Sequence, residues 1–275
     1  MIAVTVPAPA KVNLFLHVTG QRSDGYHAIE SLIALVDLAD FVTLTSRDDG
    51  EVVAAHDIAG IGRDDDLSLR AARALRAAAG VRNGVTIALT KRIPLGAGLG
   101  GGSSDAASVL LALNRLWQVD FTRAQLADIA IALGADVPFF VRGENAIARG
   151  IGEALTPVTL PTSWLVLLHP RAHVQTKEIF AARELTRNAP SAKIDVFSEG
   201  YGRNDLAAVT REKFPAVREA LDALDGARMT GSGSAVYAAF ATEQQAARAL
   251  RKLPRTAQGR LVRTLARHPL AAFAR

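Results

Sequence analysis

The 275-residue chain has no cysteine. That absence excludes disulfides, thiolate catalysis and cysteine-held zinc or iron–sulfur centres, and it fits a reducing compartment. No apolar run approaches the ~20 residues that span a bilayer. The N-terminal stretch MIAVTVPAPAKVNLF lacks the basic-then-apolar layout of a secretory signal and the Ser/Arg-rich look of a transit peptide. Aromatic residues are few, and the basic residues are scattered, often beside Asp or Glu. The net charge of +5 favours anionic ligands in general. Without a dense basic tract interleaved with aromatics, it gives no support to nucleic acid as a partner. There is no internal repeat and no low-complexity tail. The expectation is a cytoplasmic protein that uses small molecules, as a monomer or weak homodimer, and contacts neither membrane nor nucleic acid.

The most informative stretch is residues 94–107, PLGAGLGGGSSDAA, in which five residues are glycine. Glycine lets backbone N–H groups approach a ligand with no Cβ in the way and with φ of either sign. A helical pattern follows at once, and a helix start adds unpaired N–H donors and partial positive charge. Together these make an anion cradle, most often for phosphate. Gly96, Gly98 and Gly101 match a dinucleotide fingerprint, but the unit around them does not. Asp120 has the right spacing for its acid, yet only Val119 separates it from the helix as a strand residue. No Lys-Ser/Thr pair follows the glycines, and the His-Arg-Asp and Asp-Phe-Gly signatures of protein kinases are absent. A phosphate loop of another kind remains, with a flexible linker as the plain alternative.

Around the loop the chain alternates strand and helix. Residues 2–6 read as a strand broken by Pro7 and Pro9. In residues 11–18 a period of two puts Val12, Leu14, Leu16 and Val18 on one face and Lys11, Asn13, Phe15 and His17 on the other. A turn at 21–25 leads to further strand over 26–45, a helix over 67–79 and a strand over 85–90. Ser103, Ser104 and Asp105 are good N-cap types for the helix after the loop. Thr122 and Gln125 read as a capping box, Gly134 as that helix's C′ residue, and residues 135–139 as an irregular turn. A Pro/Thr-rich break at 156–163 is the candidate domain boundary. Beyond it come strand 164–169, helix over 204–224, strands 227–230 and 235–240, helix 243–253 and strand 260–265. That order is β-α-β-β-α-β, the split pattern of ferredoxin-like folds.

Three further features have both a chemical and a plain reading. Lys11 in mid-strand is a candidate cation or an edge-protecting charge. Asp136, between a helix stop and Pro138, is a candidate base or a turn residue. Residues 230–234, TGSGS, are a second ligand loop or a tight hairpin. Together with the first glycine loop they supply the parts of phosphoryl transfer: a phosphate cradle, a cation, a hydroxyl for Mg²⁺ and a group that takes the acceptor's proton.

At these residues the chain resembles the GHMP kinases. Residues 9–18 (PAKVNLFLHV), 94–107 and 229–236 (MTGSGSAV) resemble the superfamily's three motifs, in order and across essentially the whole chain. The resemblance implies an α+β, two-domain GHMP kinase fold. Residues 1–158 would form a ribosomal-protein-S5-domain-2-like domain with the ATP phosphate loop, and residues 159–275 a ferredoxin-like domain. Residues 22–27, 133–139, 176–180 and 184–188 point within the superfamily to kinases of a cytidine diphosphate-linked methylerythritol. Those enzymes move the γ-phosphate of ATP to the substrate's 2-hydroxyl, in the non-mevalonate route to isoprenoid precursors.

Carried over by motif, Asp136 would be the general base, and Lys11 would hold it as carboxylate and orient the hydroxyl. Pro94, Leu95, Gly96, Ala97, Gly98, Leu99, Gly100, Gly101, Gly102, Ser103 and Ser104 would wrap the ATP phosphates, with Ser104 a Mg²⁺ ligand. Lys91 and Asp66 would lie near the nucleotide. Tyr26, His27 and Phe180 would form the cytidine pocket, Asn13 would contact the methylerythritol end, and Thr176 would also bind substrate. Asp66 and Asp105 stand where family members often carry Asn, which puts acids near the nucleotide. Homoserine or a mevalonate derivative as substrate, and a non-catalytic binding protein on the same scaffold, stay open as other readings.

Overall fold

Pro7 and Pro9 do not end the first strand. In the computed structural model, which describes residues 2–190, 202–254 and 257–274, β1 runs unbroken over Ala3–Gln21. It pairs with one neighbour, β2 (His27–Arg47). The carbonyls of Pro7 and Pro9 face the other way and accept hydrogen bonds from Ser108 Oγ (3.1 Å) and Ser104 Oγ (2.6 Å). The N–H groups that the prolines lack would have pointed to that same free edge, so no ladder bond is lost.

The period-two reading of β1 fails at Leu14 for a comparable local reason. Asn13 pairs with Ile33 and Phe15 with Leu32, which leaves Leu14 as an extra residue. Such a bulge slips the side-chain alternation by one. Lys11, Asn13 and then Leu16, instead of Phe15, line one cleft. Phe15 turns into a buried cluster with Leu32 and Ile147.

The long strand β2 organises the sheet. One edge carries β1. The other meets β4 (Gly84–Thr90) at residues 41–47, β10 (Gly259–Leu265) at Val36 and Leu35, and β5 (Ala146–Gly150) at residues 29–33. A short β3 (Val52–Ala54) lies parallel to β4, and β6 (Ala154–Pro157) pairs with β5. Beyond β10 the order continues β7 (Trp164–Leu168), β9 (Val236–Phe240), β8 (Arg228–Met229). All neighbours there are antiparallel, the strand order of a split β-α-β-β-α-β unit, as expected. The 156–163 break begins within β6 and fills the link from β6 to β7.

Helices cover both halves. The helices α1 (Leu67–Ala79), α2 (Gly101–Leu116), α3 (Arg123–Ile131) and α4 (Val137–Arg142) build one core with β2 and β4. Every residue of α2 from Ser104 to Asn114 is buried, so α2 is a central helix. A second core joins α5 (Thr176–Phe180), α6 (Ala207–Lys213), α7 (Pro215–Asp222) and α8 (Glu243–Lys252) to β7, β8 and β9. A third, with Ala10, Val12, Val36, Leu165, Tyr237 and Val262, fuses the halves.

Helix ends depart from expectation in four places. α2 is capped by Gly100 (φ 72°), not by Ser103, Ser104 or Asp105, because Ser104 and Asp105 are turned to other partners. Thr122 and Gln125 do form a capping box, but α3 ends at Ala132, and Gly134 has no left-handed φ. Residues 137–139, read as turn, open the short helix α4. The 204–224 helix divides at Phe214, held extended ahead of Pro215, which starts α7.

The C-terminal tail docks on α3 and α4 through His268. Its N–H donates to the Gly143 carbonyl (2.8 Å) and its Nδ1 accepts from Leu270 N–H (3.1 Å). Burial, then the Arg123 charge, push its pKa down to about 3. His268 is therefore neutral in the fold while the unfolded chain takes up a proton below pH ~6.5. Its contribution is complete above that value and is lost as pH falls toward 3, at no more than about 1.4 kcal/mol per pH unit. His268→Asn keeps an acceptor for Leu270. Thermal melts from pH 7 to 4 should show a flatter acid limb in this variant. Equal slopes would mean that His268 charges freely in the folded protein.

Candidate active site

A cleft of about 990 Å³ opens between the two halves. Lys11, Asn13, Tyr26, His27, Gly98, Gly100, Ser103, Asp136, Thr176 and Phe180 all line it. Residues spread over most of the sequence thus converge as the motifs imply.

At the cleft floor Lys11 is 4 % exposed, and its ammonium donates to Asn13 Oδ1 at 2.6 Å. Asn13 is held in turn: its Nδ2 donates to Ser31 Oγ (2.8 Å), which donates to the Phe15 carbonyl (2.6 Å). Asn13 therefore spends its amide on orienting Lys11. Asp136 Oδ2 lies 3.7 Å from Lys11 Nζ, an ion pair rather than a hydrogen bond. Asp136 is the N-cap residue of α4, yet its carboxylate makes no capping bond. The carboxylate is free on the cleft side, so a plain turn role does not account for it.

Above this pair runs the glycine loop. Gly96, Gly98 and Gly100 have φ of 63°, 75° and 72°, and the intervening Ala97 and Leu99 do not share the positive sign. Alternation of that kind turns successive N–H groups toward a common concavity, an anion nest. Among the described residues, no backbone N–H from Leu95 to Ser103 has a protein acceptor. The loop is tied from behind: Lys11 N–H donates to Leu99 O (3.0 Å) and Ala235 N–H to Ala97 O (3.1 Å). A Cβ on Gly98 would stand 2.4 Å from the Thr230 carbonyl, and one on Gly231 would stand 3.1 Å from Gly98 O. Residues 230–234 are thus a buttress packed backbone to backbone against the loop, more than a hairpin. The Thr230 hydroxyl accepts from Asn13 N–H (2.9 Å) and joins the buttress to Lys11's support.

Two expected contacts take a different form. Ser104 is fully buried and its hydroxyl is donated to Pro9 O, whereas Ser103 lines the cleft. Lys91 is bound by Asp40 and Asp105. Burial pulls its pKa down, but Asp105 and then Asp40 outweigh this and raise it. Asp105 is pushed up to about 7, by burial first, against the pull of Lys91 and with Asp40 adding to the rise. The acid at position 105 is therefore turned to a lysine. With Asp66, Lys91 and Gly102 it lines a second, adjoining pocket of about 270 Å³. Asp66 caps α1, accepting from Ser68 N–H (2.8 Å) and Ser68 Oγ (2.6 Å).

At the other end of the cleft, the His27 and Phe180 rings meet at 5.1 Å between centroids. That leaves no room for a ligand ring between them. Tyr26 is exposed, and it and Phe180 both line the cleft. Thr176 Oγ1 is 2.8 Å from Ser232 Oγ, which ties α5 to the buttress. Lys177, Arg187, Asp24 and Gln21 also line this end and had no assigned role from the sequence. The 184–188 motif contains Arg187, and Lys177 follows Thr176 directly in the 176–180 motif. Asp40 carried one signal, a charge set between the apolar residues Leu38, Ala39, Phe41 and Val42.

Comparison with known proteins finds relatives that match nearly the whole chain. The model of the GHMP kinases N terminal domain matches residues 66–144, and that of the GHMP kinases C terminal matches residues 182–258. The chain is 52 % identical over 277 residues to a 4-diphosphocytidyl-2-C-methyl-D-erythritol kinase of Cupriavidus metallidurans, covering 98 % of this chain and 95 % of the relative. It is 54 % identical over 270 residues to the protein of that name from Thiobacillus denitrificans, covering 97 % of each. Among solved structures, a 4-(cytidine 5'-diphospho)-2C-methyl-D-erythritol kinase superimposes with a TM-score of 0.80 at 37 % identity, over 94 % of this chain and 99 % of the other. A homoserine kinase from Cytophaga hutchinsonii shares the fold, with a TM-score of 0.73 at 17 % identity over 97 % of this chain and 95 % of its own.

The loop geometry separates two glycines. Gly98→Ala forces a side chain onto the Thr230 carbonyl at positive φ, a strain of ~1–3 kcal/mol. It should lower the melting temperature and weaken nucleotide binding at least tenfold by calorimetry. At Gly102 a Cβ would meet only Leu67, at 3.8 Å, so Gly102→Ala should melt close to wild type. Matching melts for the two variants would refute the close backbone packing.

Proposed function

The chain belongs to the GHMP kinases, and within them to the 4-diphosphocytidyl-2-C-methyl-D-erythritol kinases; from that premise we propose that Asp136 and Lys11 are the residues that carry the reaction. It is a phosphotransferase that moves the γ-phosphate of ATP to the 2-hydroxyl of its cytidylylated methylerythritol substrate, a step of the methylerythritol phosphate route to isoprenoid precursors. The observation that carries the residue assignment is the free Asp136 carboxylate 3.7 Å from the buried Lys11 ammonium, beneath the glycine loop.

Asp136 takes the proton of the 2-hydroxyl as its oxygen bonds to the γ-phosphorus. The bond from that phosphorus to the β,γ-bridging oxygen breaks, and ADP leaves with the electron pair. The Lys11 ammonium lies beside both the attacking oxygen and the transferred group and offsets their negative charge. In a loose transition state little covalent work falls to the protein, so position and fixed charge supply most of the rate.

The uncommitted N–H groups from Leu95 to Ser103 and the start of α2 hold the ATP phosphates. Open space over Gly102 fits a phosphate there. A Mg²⁺ that arrives with the phosphates needs few protein ligands, and a hydroxyl oxygen at the cleft wall suits it. Ser103, whose residue lines the cleft, is the serine suited to ligate it in place of Ser104. When bound, Mg²⁺ neutralises phosphate charge. The second pocket, with Asp66, Lys91 and Asp105, takes the nucleoside end of ATP.

Tyr26 and the outer face of Phe180 stack on the cytosine, with His27 at its edge and Thr176 nearby. Asn13 acts mainly by orienting Lys11. Residues 1–158 serve as the phosphate-loop half and residues 159–275 as the ferredoxin-like half. Both substrates are water-soluble polyanions, which supports a cytoplasmic enzyme. No helix among the described residues is long and apolar enough to cross a membrane.

Asp136→Asn should lower kcat by ~10²–10⁴ while the KM for ATP stays within about threefold. Wild type should phosphorylate the cytidylylated substrate and neither homoserine nor mevalonate. An Asp136→Asn enzyme near full activity would remove the base from Asp136.

A further inference from the structure

Arg187 commits three of its nitrogens to a single task. Nη1 donates to Leu185 O (3.0 Å), and Nη2 donates to Phe180 O (3.2 Å) and Ala182 O (2.7 Å). These carbonyls fix the guanidinium plane, and Nε then meets His27 Nε2 at 3.0 Å. A guanidinium is always charged and has only donors. His27 Nε2 must therefore accept, so it carries no proton. A neutral imidazole then has its single proton on Nδ1. The doubly protonated ring is disfavoured by the same contact, since two N–H groups would face each other. Burial, and then the Arg187 charge, lower the His27 pKa in the same sense. Among the described residues nothing else bonds His27 Nδ1, and the ring lines the cleft beside Phe180.

We propose that Arg187 is a positioning residue that locks His27 as the Nδ1–H tautomer, so that the cleft offers a hydrogen-bond donor to N3 of cytosine and rejects uracil. This rests on the reading that the cytidyl group enters this end of the cleft. Cytosine N3 has a lone pair and accepts. Uracil N3 carries a proton, so donor would face donor and both would lose their partners. A mismatch of that kind costs ~1–3 kcal/mol, or about 10- to 100-fold in affinity. The unlocked tautomer would reverse the sign of the contact, because a bare Nδ1 accepts from uracil N3–H.

The test uses the full chain and two probes, CDP and UDP, with ¹⁵N-histidine spectra as an independent readout. Wild type should bind CDP about 10- to 100-fold more tightly than UDP, and long-range ¹H–¹⁵N spectra should show His27 protonated at Nδ1 alone. Arg187→Met should bring the CDP/UDP ratio within about threefold of one, give a mixed tautomer, and leave ATP affinity unchanged. A purely structural role would weaken CDP and UDP equally, and that result overturns the proposal. So does a wild-type spectrum with the proton on Nε2, which needs no variant to fold. Failure of wild type to bind CDP at all would overturn the substrate reading as well. CDP binding with a ratio indifferent to Arg187 sinks only the tautomer lock.

Discussion

Burying the Lys11 ammonium is the constraint around which this protein is arranged. A charge taken out of water needs partners with good geometry, or the fold bears an uncompensated cost of several kcal/mol. Asn13 supplies one partner and Asp136 another. Asn13 must be oriented to do so, and Ser31 and the Phe15 carbonyl orient it. Backbone bonds of the same strand then reach outward, from Lys11 to the glycine loop and from Asn13 to Thr230. Five segments of the chain, at residues 11–15, 31, 99, 136 and 230, thus meet around one buried cation. The same pairing leaves the Asp136 carboxylate and the Lys11 ammonium side by side at the floor of a cleft.

Local signals made much of the fold legible. The breaker-free stretch of Ala, Leu and Arg gave α1, the Thr122–Gln125 box gave the start of α3, and the alternation of elements gave the split unit of the second half. The misses share a cause: the deciding interaction was non-local. Pro7 and Pro9 looked like breakers because the sequence does not say which edge of β1 is unpaired, nor that α2 serines bond their carbonyls. The bulge at Leu14 is set by register with β2, which no pattern within residues 11–18 encodes. Ser104 had the chemistry of a cap or a metal ligand, and tertiary packing gave its hydroxyl to Pro9.

The site was legible in its kinds of residue, less so in their division of labour. Motif order singled out Lys11, Asp136 and both glycine stretches. It did not show that residues 230–234 pack backbone to backbone against the first loop, or that Asn13 hydrogen-bonds both Lys11 and Ser31. The acids at 66 and 105 looked out of place near a nucleotide. One caps a helix and the other shares Lys91 with Asp40, so each charge has a partner inside the protein. Arg187 had no assigned role because its meaning depends on three carbonyls and one ring nitrogen that only the folded chain assembles.

If Lys11 and Asp136 act as one unit, their losses do not add. The direct measurement is a double-mutant cycle on phosphoryl transfer with Lys11→Met, Asp136→Asn and the pair combined. The expected result is a double variant within about threefold of the slower single variant. Losses that multiply would mean the two side chains work independently, and would contradict the account.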